Sequence, residues 1–563
     1  MVKNGLDYAE QIVMFKDGKE KKISTLGNTN GSNFSSGKSI LAWTEVIPDL
    51  RWDQKNFSVI KILDARTNEI RQITKQTRYF SPAVSPDDSQ IALIETDDIN
   101  RCSIVVLSGE KWTIEKTLPG FENEYLNNLS YYNDSLLLVT GTDGNGRSLY
   151  MVNINTTHWV NLTGKVYHNI SQPVGWRNYV LFKSDISSIS NIYALHLNTK
   201  EIYQVTQSEY GVTTPFVNGD TLFYSNYTSF GYKPVKINLN EKMFFKTDPL
   251  IQYPWIDDLK KQEITSGHVS KSNELYKSQP YKKINHLFNL HSWLPFYTNP
   301  NFYELSTFEI YPGFILLSQN LLNTTISSLG LSFEKENFYF HPRFTYSGFY
   351  PIFDLSAKIG GNKQIFPLPE GISPKDTSGL RSVIQGRIYI PFNLTNGKYS
   401  RHIVPSLEAD YENNLYYENG ITEGLITFTY KMTFSNYLKS SFKDIYPTFG
   451  QFVSASFIHT PFGRSQFGTI FHTGASLFFP SIFMHHGLKT SVNFQIENPQ
   501  RIDYLNAQRY YPYNFTSLPR GYKMKWFSFK AKELIKFSFD YTNPLFYPDL
   551  SIPSIIYLKR NSE

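Results

Sequence analysis

The side chains of this chain that could do chemistry include a few closely spaced histidines. His286 and His291 lie five residues apart, and His485 and His486 are adjacent after Met484. Neither group has a third ligand nearby or the spacing of three or four residues that places two ligands on one face of a helix. We therefore interpret the first segment as an aromatic plug or packing segment and the second in the same way.

Carboxylate pairs and catalytic motifs give no better candidate. Asp97-Asp98 and Asp257-Asp258 are typical of turns and solvated surfaces. The chain has no Gly-x-Ser-x-Gly elbow, no His-Glu-x-x-His zinc motif, no Walker loop and no Gly-x-Gly-x-x-Gly fingerprint. The sequence therefore predicts no catalytic residues, no metal, no cofactor and no enzymatic activity.

The composition excludes several protein classes. The net charge of +6 is spread along the 563 residues, which argues against nucleic acid as a partner. Cys102 is the only cysteine, so no intrachain disulfide and no thiolate metal site can form. Phe, Tyr and Trp make up 16% of the chain although its mean hydropathy is −0.35, which excludes both a bundle of membrane helices and a disordered chain.

The first part of the chain contains a repeat that must form the scaffold. Residues 63–74, 152–163 and 195–206 align without gaps, each with a threonine in a polar turn and a final aliphatic-Thr pair. A proline follows each segment, and β-rich runs recur every 40–50 residues or so. The period predicts blades of a β-propeller, five of them from about residue 31 to 240.

Residues before this repeat predict part of a further blade. Gln11 to Ile23 reads as a hairpin around Asp17-Gly18, so the propeller has about six blades, the first incomplete. Half a blade would leave an unpaired sheet edge. We therefore expect the sequence to begin inside its first domain, residues 1–240.

One turn of the repeat resembles a known family. Phe80 to Ile94 contains Ser85-Pro86-Asp87-Asp88, which is similar to the Ser-Pro-Asp-Gly motif of TolB-like periplasmic propellers. The resemblance implies that Asp87 and Asp88 form the tight turn between the first two strands of a blade. Asp88 stands where the family has glycine, and aspartate tolerates left-handed backbone better than most residues.

The second half of the chain predicts a membrane-spanning β-barrel, residues 301–563, after a linker or plug at 241–300. Of the 90 aromatic residues, 52 lie in this half. Residues 426–434 and 488–496 alternate apolar and polar side chains over about 9–11 residues, the length of a lipid-spanning strand. About twelve strands are predicted, the others near 313–320, 324–334, 337–346, 349–360, 380–391, 402–412, 450–459, 467–479, 523–541 and 552–559. A soluble β-sandwich with an aromatic core is the alternative.

A second resemblance concerns a loop of this half. Arg520-Gly521-Tyr522 is similar to the Arg-Gly-aromatic signature on the inward-folded loop of surface-antigen-type barrels. The resemblance implies that Arg520 anchors the loop in the lumen, that Gly521 makes its turn and that Tyr522 packs there. Few residues follow it, so we expect sixteen strands in the complete protein, with closing strands after this sequence and a signal peptide before it.

The whole chain resembles Gram-negative outer-membrane proteins with a TolB-like propeller, and we expect it to be a fragment of one. The resemblance implies an outer-membrane location, with the propeller in the periplasm. The expected partners are outer-membrane lipid and a periplasmic protein, and the expected function lies in outer-membrane biogenesis, secretion or transport. A non-conducting membrane-anchored scaffold stays open, as does a propeller-associated hydrolase whose catalytic domain is absent here.

Overall fold

The computed structural model describes residues 1–16, 18–31, 34–247, 259, 261–262, 280–299, 310–363, 365–366, 379–417, 421–462, 468–499, 533–547, 550–552, 556–558 and 561–562. The chain forms two compact units. The sheet unit comprises Met1–Leu26, Asp49–Asp53 and Tyr276–Glu563, and the propeller unit comprises Gly27–Pro48 and Gln54–Leu275.

Six small antiparallel sheets follow one another along the chain as propeller blades. The first blade contains β1 (Val2–Lys3), β2 (Gln11–Lys16) and β3 (Lys19–Thr25), and the second contains β4 (Ser35–Ser36), β5 (Ile40–Pro48), β6 (Asn56–Asp64) and β7 (Glu69–Gln72). The third contains β8 (Tyr79–Val84), β9 (Gln90–Thr96), β10 (Cys102–Ser108) and β11 (Thr113–Pro119), and the fourth contains β12 (Tyr125–Asn133), β13 (Leu136–Asp143), β14 (Gly146–Asn153) and β15 (Trp159–Asn161). The fifth contains β16 (Ser171–Trp176), β17 (Tyr179–Ser184), β18 (Asn191–His196) and β19 (Ile202–Gln204), and the sixth contains β20 (Val212–Asn218), β21 (Thr221–Thr228) and β22 (Gly231–Asn238). The first blade belongs to the sheet unit and the other five to the propeller unit.

The threonines of the sequence repeat hold the outer strands of three blades in place. The hydroxyl of Thr74 accepts a hydrogen bond from the backbone N–H of Ile60 at 2.8 Å. Thr163 accepts from Leu149 at 3.1 Å, and Thr206 accepts from Ile192 at 2.9 Å. Each bond spans fourteen residues and satisfies a backbone donor that would otherwise be buried without a partner.

The polar turn inside each repeat also has one geometry. The residue after the shared threonine has a left-handed backbone in all three copies: Asn68 (φ 59°), Thr157 (φ 59°) and Lys200 (φ 63°). Its N–H donates to the carbonyl oxygen four residues earlier at 2.8–2.9 Å. The repeat is therefore one structural unit, built three times.

The hydrophobic core of the propeller unit lies between neighbouring blades. Five consecutive residues of β13 are buried, so both of its faces are covered. Central strands β9 and β17 likewise have four consecutive buried residues each. This continuous burial explains why the central strands read as uninterrupted apolar runs in the sequence.

The sheet unit contains one large sheet of fourteen strands. Twelve of them follow one another in chain order with antiparallel pairing: β24 (Leu290–Thr298), β25 (Ile310–Gln319), β26 (Thr325–Glu334), β27 (Asn337–Tyr346), β28 (Ile352–Asn362), β30 (Leu380–Tyr389), β32 (Tyr399–Tyr417), β33 (Ile421–Leu438), β34 (Gly450–His459), β35 (Gly468–Pro480), β36 (Gly487–Pro499) and β37 (Glu533–Thr542). The short strands β29 (Ile365–Phe366) and β31 (Phe392–Asn393) pair with β32. The all-β fold class, propeller blades followed by a large antiparallel sheet consistent with a barrel, is confirmed.

Short elements complete the described chain. Strand β23 (Phe245–Lys246) pairs with β19, and 3₁₀ turns span Glu241–Met243 and Lys283–His286. Four short strands close the chain, β38 (Pro544–Phe546) with β41 (Asn561–Ser562) and β39 (Leu550–Ile552) with β40 (Ile556–Leu558). None of the helices that the structure describes has the length and apolar character to cross a membrane. Strand β24 begins within the predicted linker, and the domain boundaries at residues 240 and 300 stay predictions.

Candidate functional site

The Ser85–Asp88 motif forms the turn between β8 and β9 of the third blade. Asp87 accepts hydrogen bonds from the hydroxyls of Ser85 and Ser89, at 2.6 and 2.8 Å, and from the N–H of Ser89 at 3.0 Å. These donors lower the pKa of Asp87 from 3.8 to about 2. The carboxylate therefore holds the turn closed through its Oδ1 atom, which accepts all three bonds.

Asp88 adds a contact that a glycine could not make. Its backbone is left-handed (φ 67°), the conformation that glycine would adopt in the resembled motif. Its carboxylate accepts from the N–H and the hydroxyl of Ser39 in the second blade, at 2.8 and 2.6 Å. Gly37 leaves room for it, since a Cβ there would lie 2.2 Å from the Asp88 Oδ1 atom. Asp88 thus ties two neighbouring blades together.

Residues in or near the corresponding turns of the later blades also join neighbouring blades. Tyr131 of the fourth blade donates its hydroxyl to the Gln90 side chain of the third blade at 3.3 Å. Tyr132 donates to the Arg177 carbonyl oxygen of the fifth blade. Asp220 of the sixth blade accepts from the Arg177 guanidinium at 2.9 Å. The motif residues therefore stabilise a turn and a contact between two blades.

A row of polar residues on the first strands of four blades is the stronger candidate for binding. Each residue sits at a break in strand register and has a left-handed backbone, which is strained outside glycine. They are Ser81 (φ 46°), Asn128 (φ 51°), Gln172 (φ 52°) and Thr214 (φ 55°). A proline directly follows three of them, Pro82, Pro173 and Pro215. Sequence reasoning found these prolines but not the bulges, although proline inside a strand is a bulge signal.

Hydrogen bonds between blades hold this row in place. Ser81 donates its hydroxyl to the Asn127 side chain at 3.2 Å, which joins the third and fourth blades. The Gln172 side chain accepts from the N–H of Thr214 at 2.9 Å and from the Thr213 hydroxyl at 3.1 Å, which joins the fifth and sixth. Stored backbone strain beside polar groups favours a functional site here.

The large sheet separates apolar from polar side chains on its two faces. On β37 the apolar residues alternate with Lys536, Ser538 and Asp540, and the apolar ones are the more exposed, Phe537 at 77% and Phe539 at 67%. Cross-strand pairing carries the same apolar face along the sheet. Exposed members from other strands are Phe314, Leu329, Phe340, Leu355, Ile388, Met432, Val453, Leu477 and Ile496.

The polar face carries paired charges. Arg343 forms a bidentate ion pair with Asp354, at 2.7 and 3.2 Å. Lys358 pairs with Glu334 at 2.6 Å. Arg381 pairs with Glu412, and Gln385 donates to Glu408 at 2.8 Å. These pairs neutralise one another's charge on the part of the polar face that they occupy.

One serine and one histidine meet on this polar face. The Ser332 hydroxyl lies 2.8 Å from His341 Nε2 and donates to Glu334 at 2.6 Å. Ser332 is fully buried, and the Tyr297 ring stacks on the His341 ring with 4.0 Å between centroids. Ser332, His341 and Glu334 therefore form one hydrogen-bonded group on the polar face.

The histidines singled out in the sequence occupy separate places. His286 stacks on Tyr281 with 4.5 Å between ring centroids, and His291 contacts the adjacent Ser292 hydroxyl at 2.7 Å. His486 contacts the Tyr541 hydroxyl. Over the part of the chain that the structure describes, no group of three or more His, Cys, Asp or Glu side chains could hold a metal ion.

His485 lies in a charged cluster that the sequence did not reveal. Its two ring nitrogens contact Asp444 at 2.8 Å and Asp7 at 3.2 Å. Lys443 pairs with Asp7 at 2.7 Å and holds the pKa of that carboxyl below its ordinary value. The cluster fastens the start of the chain to two turns of the sheet unit, and the large sequence separation explains why no local pattern predicts it.

The loop motif Arg520-Gly521-Tyr522 lies outside the described residues, as does the pair Asp257-Asp258. The roles that the resemblance implies for Arg520, Gly521 and Tyr522 stay predictions.

Comparisons with known proteins add little to this geometry. No protein-family model and no curated protein matches the chain. Similar solved structures include TolB from Acinetobacter baumannii, with 12% identity, a TM-score of 0.30 and coverage of 55% of this chain and 61% of that one. An oligogalacturonate lyase from Vibrio parahaemolyticus has 14% identity, a TM-score of 0.31 and coverage of 42% and 73%. A Mycobacterium tuberculosis puromycin-hydrolysing peptidase has 11% identity, a TM-score of 0.28 and coverage of 56% and 54%.

The chain therefore spans less than two thirds of the TolB and peptidase chains that it resembles. TM-scores between 0.28 and 0.31 carry no inference about activity, substrate or partner. The fold described above rests on the strand order and register of this chain.

Proposed function

We propose that the large sheet of the sheet unit spans the outer membrane of a Gram-negative bacterium as a β-barrel and that the propeller blades recruit a protein partner in the periplasm. The complete protein would then act in outer-membrane biogenesis, secretion or transport. The observation that carries the proposal is the exposed apolar face of the large sheet.

The length of the strands supports a membrane role. Strands β25, β26, β27, β30, β34 and β37 have ten residues each, and about 9–11 tilted residues cross the hydrocarbon core of a bilayer. Each large apolar side chain left in water forgoes about 1.5–3 kcal/mol of burial. A continuous face of such side chains is therefore far more stable in lipid than in water.

The polar face supports the same arrangement. In a barrel this face would line the lumen, where water and neighbouring charges solvate polar groups. The ion pairs Arg343–Asp354 and Lys358–Glu334 already neutralise part of it. A soluble sheet would have the reverse arrangement, with its apolar face buried and its polar face exposed.

The propeller supports a partner-binding role through its strained polar row. Asn128, Gln172 and Thr214 are partly or fully exposed at fixed positions on three successive blades, and Ser81 continues the row as a buried residue. Exposed aromatic side chains stand on the same first strands, Phe80 in β8 and Tyr125 in β12. Polar groups held rigidly beside exposed aromatic rings are typical of protein-binding surfaces.

Matched lysine substitutions on adjacent residues test the membrane assignment. We would refold the full chain with lipid vesicles and measure flotation and heat-modifiable gel mobility. Phe537→Lys places a charge on the apolar face and should cost about 2–4 kcal/mol near the bilayer midplane, whereas Ser538→Lys on the polar face should insert normally. Equal insertion of both variants, or a wild-type chain that stays soluble without lipid, would overturn the proposal.

Two further measurements separate the open alternatives. Single-channel recordings in planar bilayers should show conductance steps for a conduit and silence for a non-conducting scaffold. Arg520→Ala should change heat-modifiable mobility if the loop motif anchors a lumenal loop, and an unchanged profile would reduce the motif to chance.

A further inference from the structure

Two cationic side chains meet at one end of the large sheet, on the side of its apolar face. Register places Arg401 of β32 opposite Asn436 of β33, on the same side of the sheet as the exposed Met432. Lys398 directly precedes β32, and its ammonium group lies 5.6 Å from the centre of the Tyr399 ring. The Arg401 guanidinium lies 5.3 Å from the centre of the same ring. Both cations are therefore held beside one aromatic side chain.

A third cation comes from the first blade, which belongs to the same unit. Burial and the neighbouring charge of Lys398 lower the pKa of the Lys22 ammonium group below its ordinary value. We name Lys22, Lys398 and Arg401 the basic cluster. Among the described residues none of the three forms an ion pair, and the adjacent Glu10 is paired with Lys439 at 3.8 Å. Like charges held together without a counterion favour an anion from outside the chain.

The guanidinium of Arg401 is oriented by its neighbours on the sheet. Its Nε–H donates to the Asn436 side chain at 3.0 Å, and Asn436 donates to the Gln451 side chain at 2.6 Å. Among the described residues none accepts from the two Nη groups, and the Arg401 side chain is exposed. A guanidinium that is fixed through Nε and open at both Nη groups is suited to bind a phosphate with two parallel hydrogen bonds.

An apolar groove of about 500 Å³ lies on the same face, further along the same strands. The cross-strand row Pro405, Met432 and Ala455 lines it, and the short proline and alanine leave room between larger side chains. Pairing between β30 and β32 ends at Ser406, which explains how a proline, which has no N–H, fits at the next position. The other lining side chains are mostly apolar and include Ile388, Leu407, Tyr430, Phe457 and Phe471.

The spacing between the basic cluster and the groove matches the dimensions of a lipid. Arg401 and Pro405 lie four residues apart in one strand, which is about 13 Å at roughly 3.3 Å per residue. One leaflet contributes about 15 Å to the hydrocarbon core of a bilayer. When the basic cluster lies at the level of the headgroups, the groove therefore lies at the depth of the acyl chains.

We propose that the basic cluster and the groove together bind one phospholipid with an anionic headgroup, its phosphate on Arg401 and Lys398 and one acyl chain in the groove. The inference rests on the proposed function, because it names the lipid that the membrane-spanning sheet prefers. Charge selects an anionic over a zwitterionic headgroup, since the three cations have no counterion in the described chain. Lys22 places the site at the end of the sheet that lies beside the first blade, so the lipid belongs to the periplasmic leaflet.

Headgroup competition on the full chain tests the basic cluster. The folded chain in detergent micelles is mixed with equal amounts of phosphatidylglycerol and phosphatidylcholine, and the bound lipids are counted by native mass spectrometry. The wild-type chain should prefer phosphatidylglycerol, and the double variant Lys398→Gln and Arg401→Gln should lose about fivefold of this preference for each cation removed. Lys335→Gln, at an exposed lysine in the turn between β26 and β27 at the opposite end of the sheet, should keep the preference.

Matched substitutions inside and outside the groove test the acyl chain. Ala455→Phe fills the groove, whereas Ala475→Phe adds the same ring to the same face outside it, opposite Val453. Ala455→Phe should lower the retention of both lipids severalfold, and Ala475→Phe should leave it unchanged. Neither variant removes a charge, so the headgroup preference of the lipid that remains bound should be that of the wild-type chain.

Several results would contradict this site. Equal retention of the two lipids by the wild-type chain, an unchanged preference in the double variant, or equal retention by the two phenylalanine variants overturns the proposal. Displacement of the lipid by inorganic phosphate would indicate a phosphate site without an acyl chain and also overturns it. Failure of the membrane assignment is distinguishable, because the wild-type chain would then not float with vesicles, whereas a chain that floats without a headgroup preference contradicts only the lipid site.

Discussion

Strands β13 and β37 show how differently the two units use apolar side chains. In β13 of the propeller unit, five consecutive residues are buried, so that both faces of the strand contact protein. In β37 of the sheet unit, Phe537 and Phe539 are largely exposed while the alternate residues Ser538 and Asp540 are less so. One unit is organised around a core between blades, and the other presents its apolar residues outward.

The proposed membrane location accounts for this difference. The blades of the propeller unit bury apolar side chains against one another. The large sheet leaves a continuous apolar face without protein cover among the described residues, which is consistent with lipid as its natural surroundings. The same type of substitution should therefore change the free energy of unfolding by different amounts in the two units.

The largest expected effect concerns the buried ion pair of the second blade. Glu45 is buried, pairs with Lys61 at 2.6 Å and accepts from Trp43 Nε1 at 2.9 Å. The Lys61→Met variant leaves the Glu45 carboxylate buried without a cation, and we expect it to lower the free energy of unfolding by about 3–5 kcal/mol. Hydrogen exchange of propeller peptides in increasing urea measures the loss.

Substitution of the corresponding ion pair in the sheet unit should lower the free energy of unfolding by a smaller amount. Arg343 and Asp354 keep 24% and 16% of their side chains exposed, and the Thr345 hydroxyl also donates to Asp354. Arg343→Met should therefore cost less than Lys61→Met in the same exchange experiment. If Arg343→Met lowers the unfolding free energy as much as Lys61→Met or more, the polar face of the sheet is not better solvated than the propeller core.

The second prediction concerns the repeated threonines. Thr206→Val preserves shape but leaves the N–H of Ile192 buried without an acceptor, at a cost of about 2 kcal/mol. The exposed control Thr113→Val, on strand β11, should stay within about 0.5 kcal/mol. Hydrogen exchange of propeller peptides in increasing urea measures both variants, and an equal response of the two would remove the structural reason for the repeat.

Much of this architecture could be predicted from the sequence because its causes are local. The period of the blades follows from a turn and a threonine that each repeat carries within twelve residues. Strands β27 and β34 lie at residues 337–346 and 450–459, where alternation predicts them. Alternation is a property of neighbouring residues, so a single sequence is enough to reveal it.

The features that sequence reasoning missed depend on distant residues. Asp88 binds Ser39 across 49 positions, and His485 binds Asp7 across 478. Strand β24 falls within the predicted linker because Leu290–Thr298 alternates only weakly and pairs with β25 through two shifts of register. The bulges at Gln172 and Thr214 required knowing that the following prolines lie inside strands.

A third, smaller loss of stability is expected at Asp88, where the contribution of the hydrogen bonds can be separated from that of the left-handed backbone. Asp88→Ala removes the bonds to Ser39 and keeps a side chain on a left-handed backbone, whereas Asp88→Gly removes the bonds but relieves the strain. The Asp88→Ala variant should therefore be less stable than the Asp88→Gly variant by about 1 kcal/mol. Unfolding curves of the two variants that coincide would contradict the turn geometry.

The smallest effect is the pH dependence of the same turn. The pKa of Asp87 is lowered from 3.8 to about 2 in the folded state, so its stabilising contribution is complete above about pH 4 and is lost as the pH falls towards 2. Asp87→Asn should remove this part of the acid sensitivity, and Ser89→Ala should reduce it by deleting one of the donors, the Ser89 hydroxyl. Because the carboxylate is exposed, solvent screening keeps the effect small. Unfolding in urea between about pH 5 and 2 measures the effect. If Asp87→Asn leaves the pH dependence of the unfolding free energy unchanged, the acid sensitivity comes from other residues.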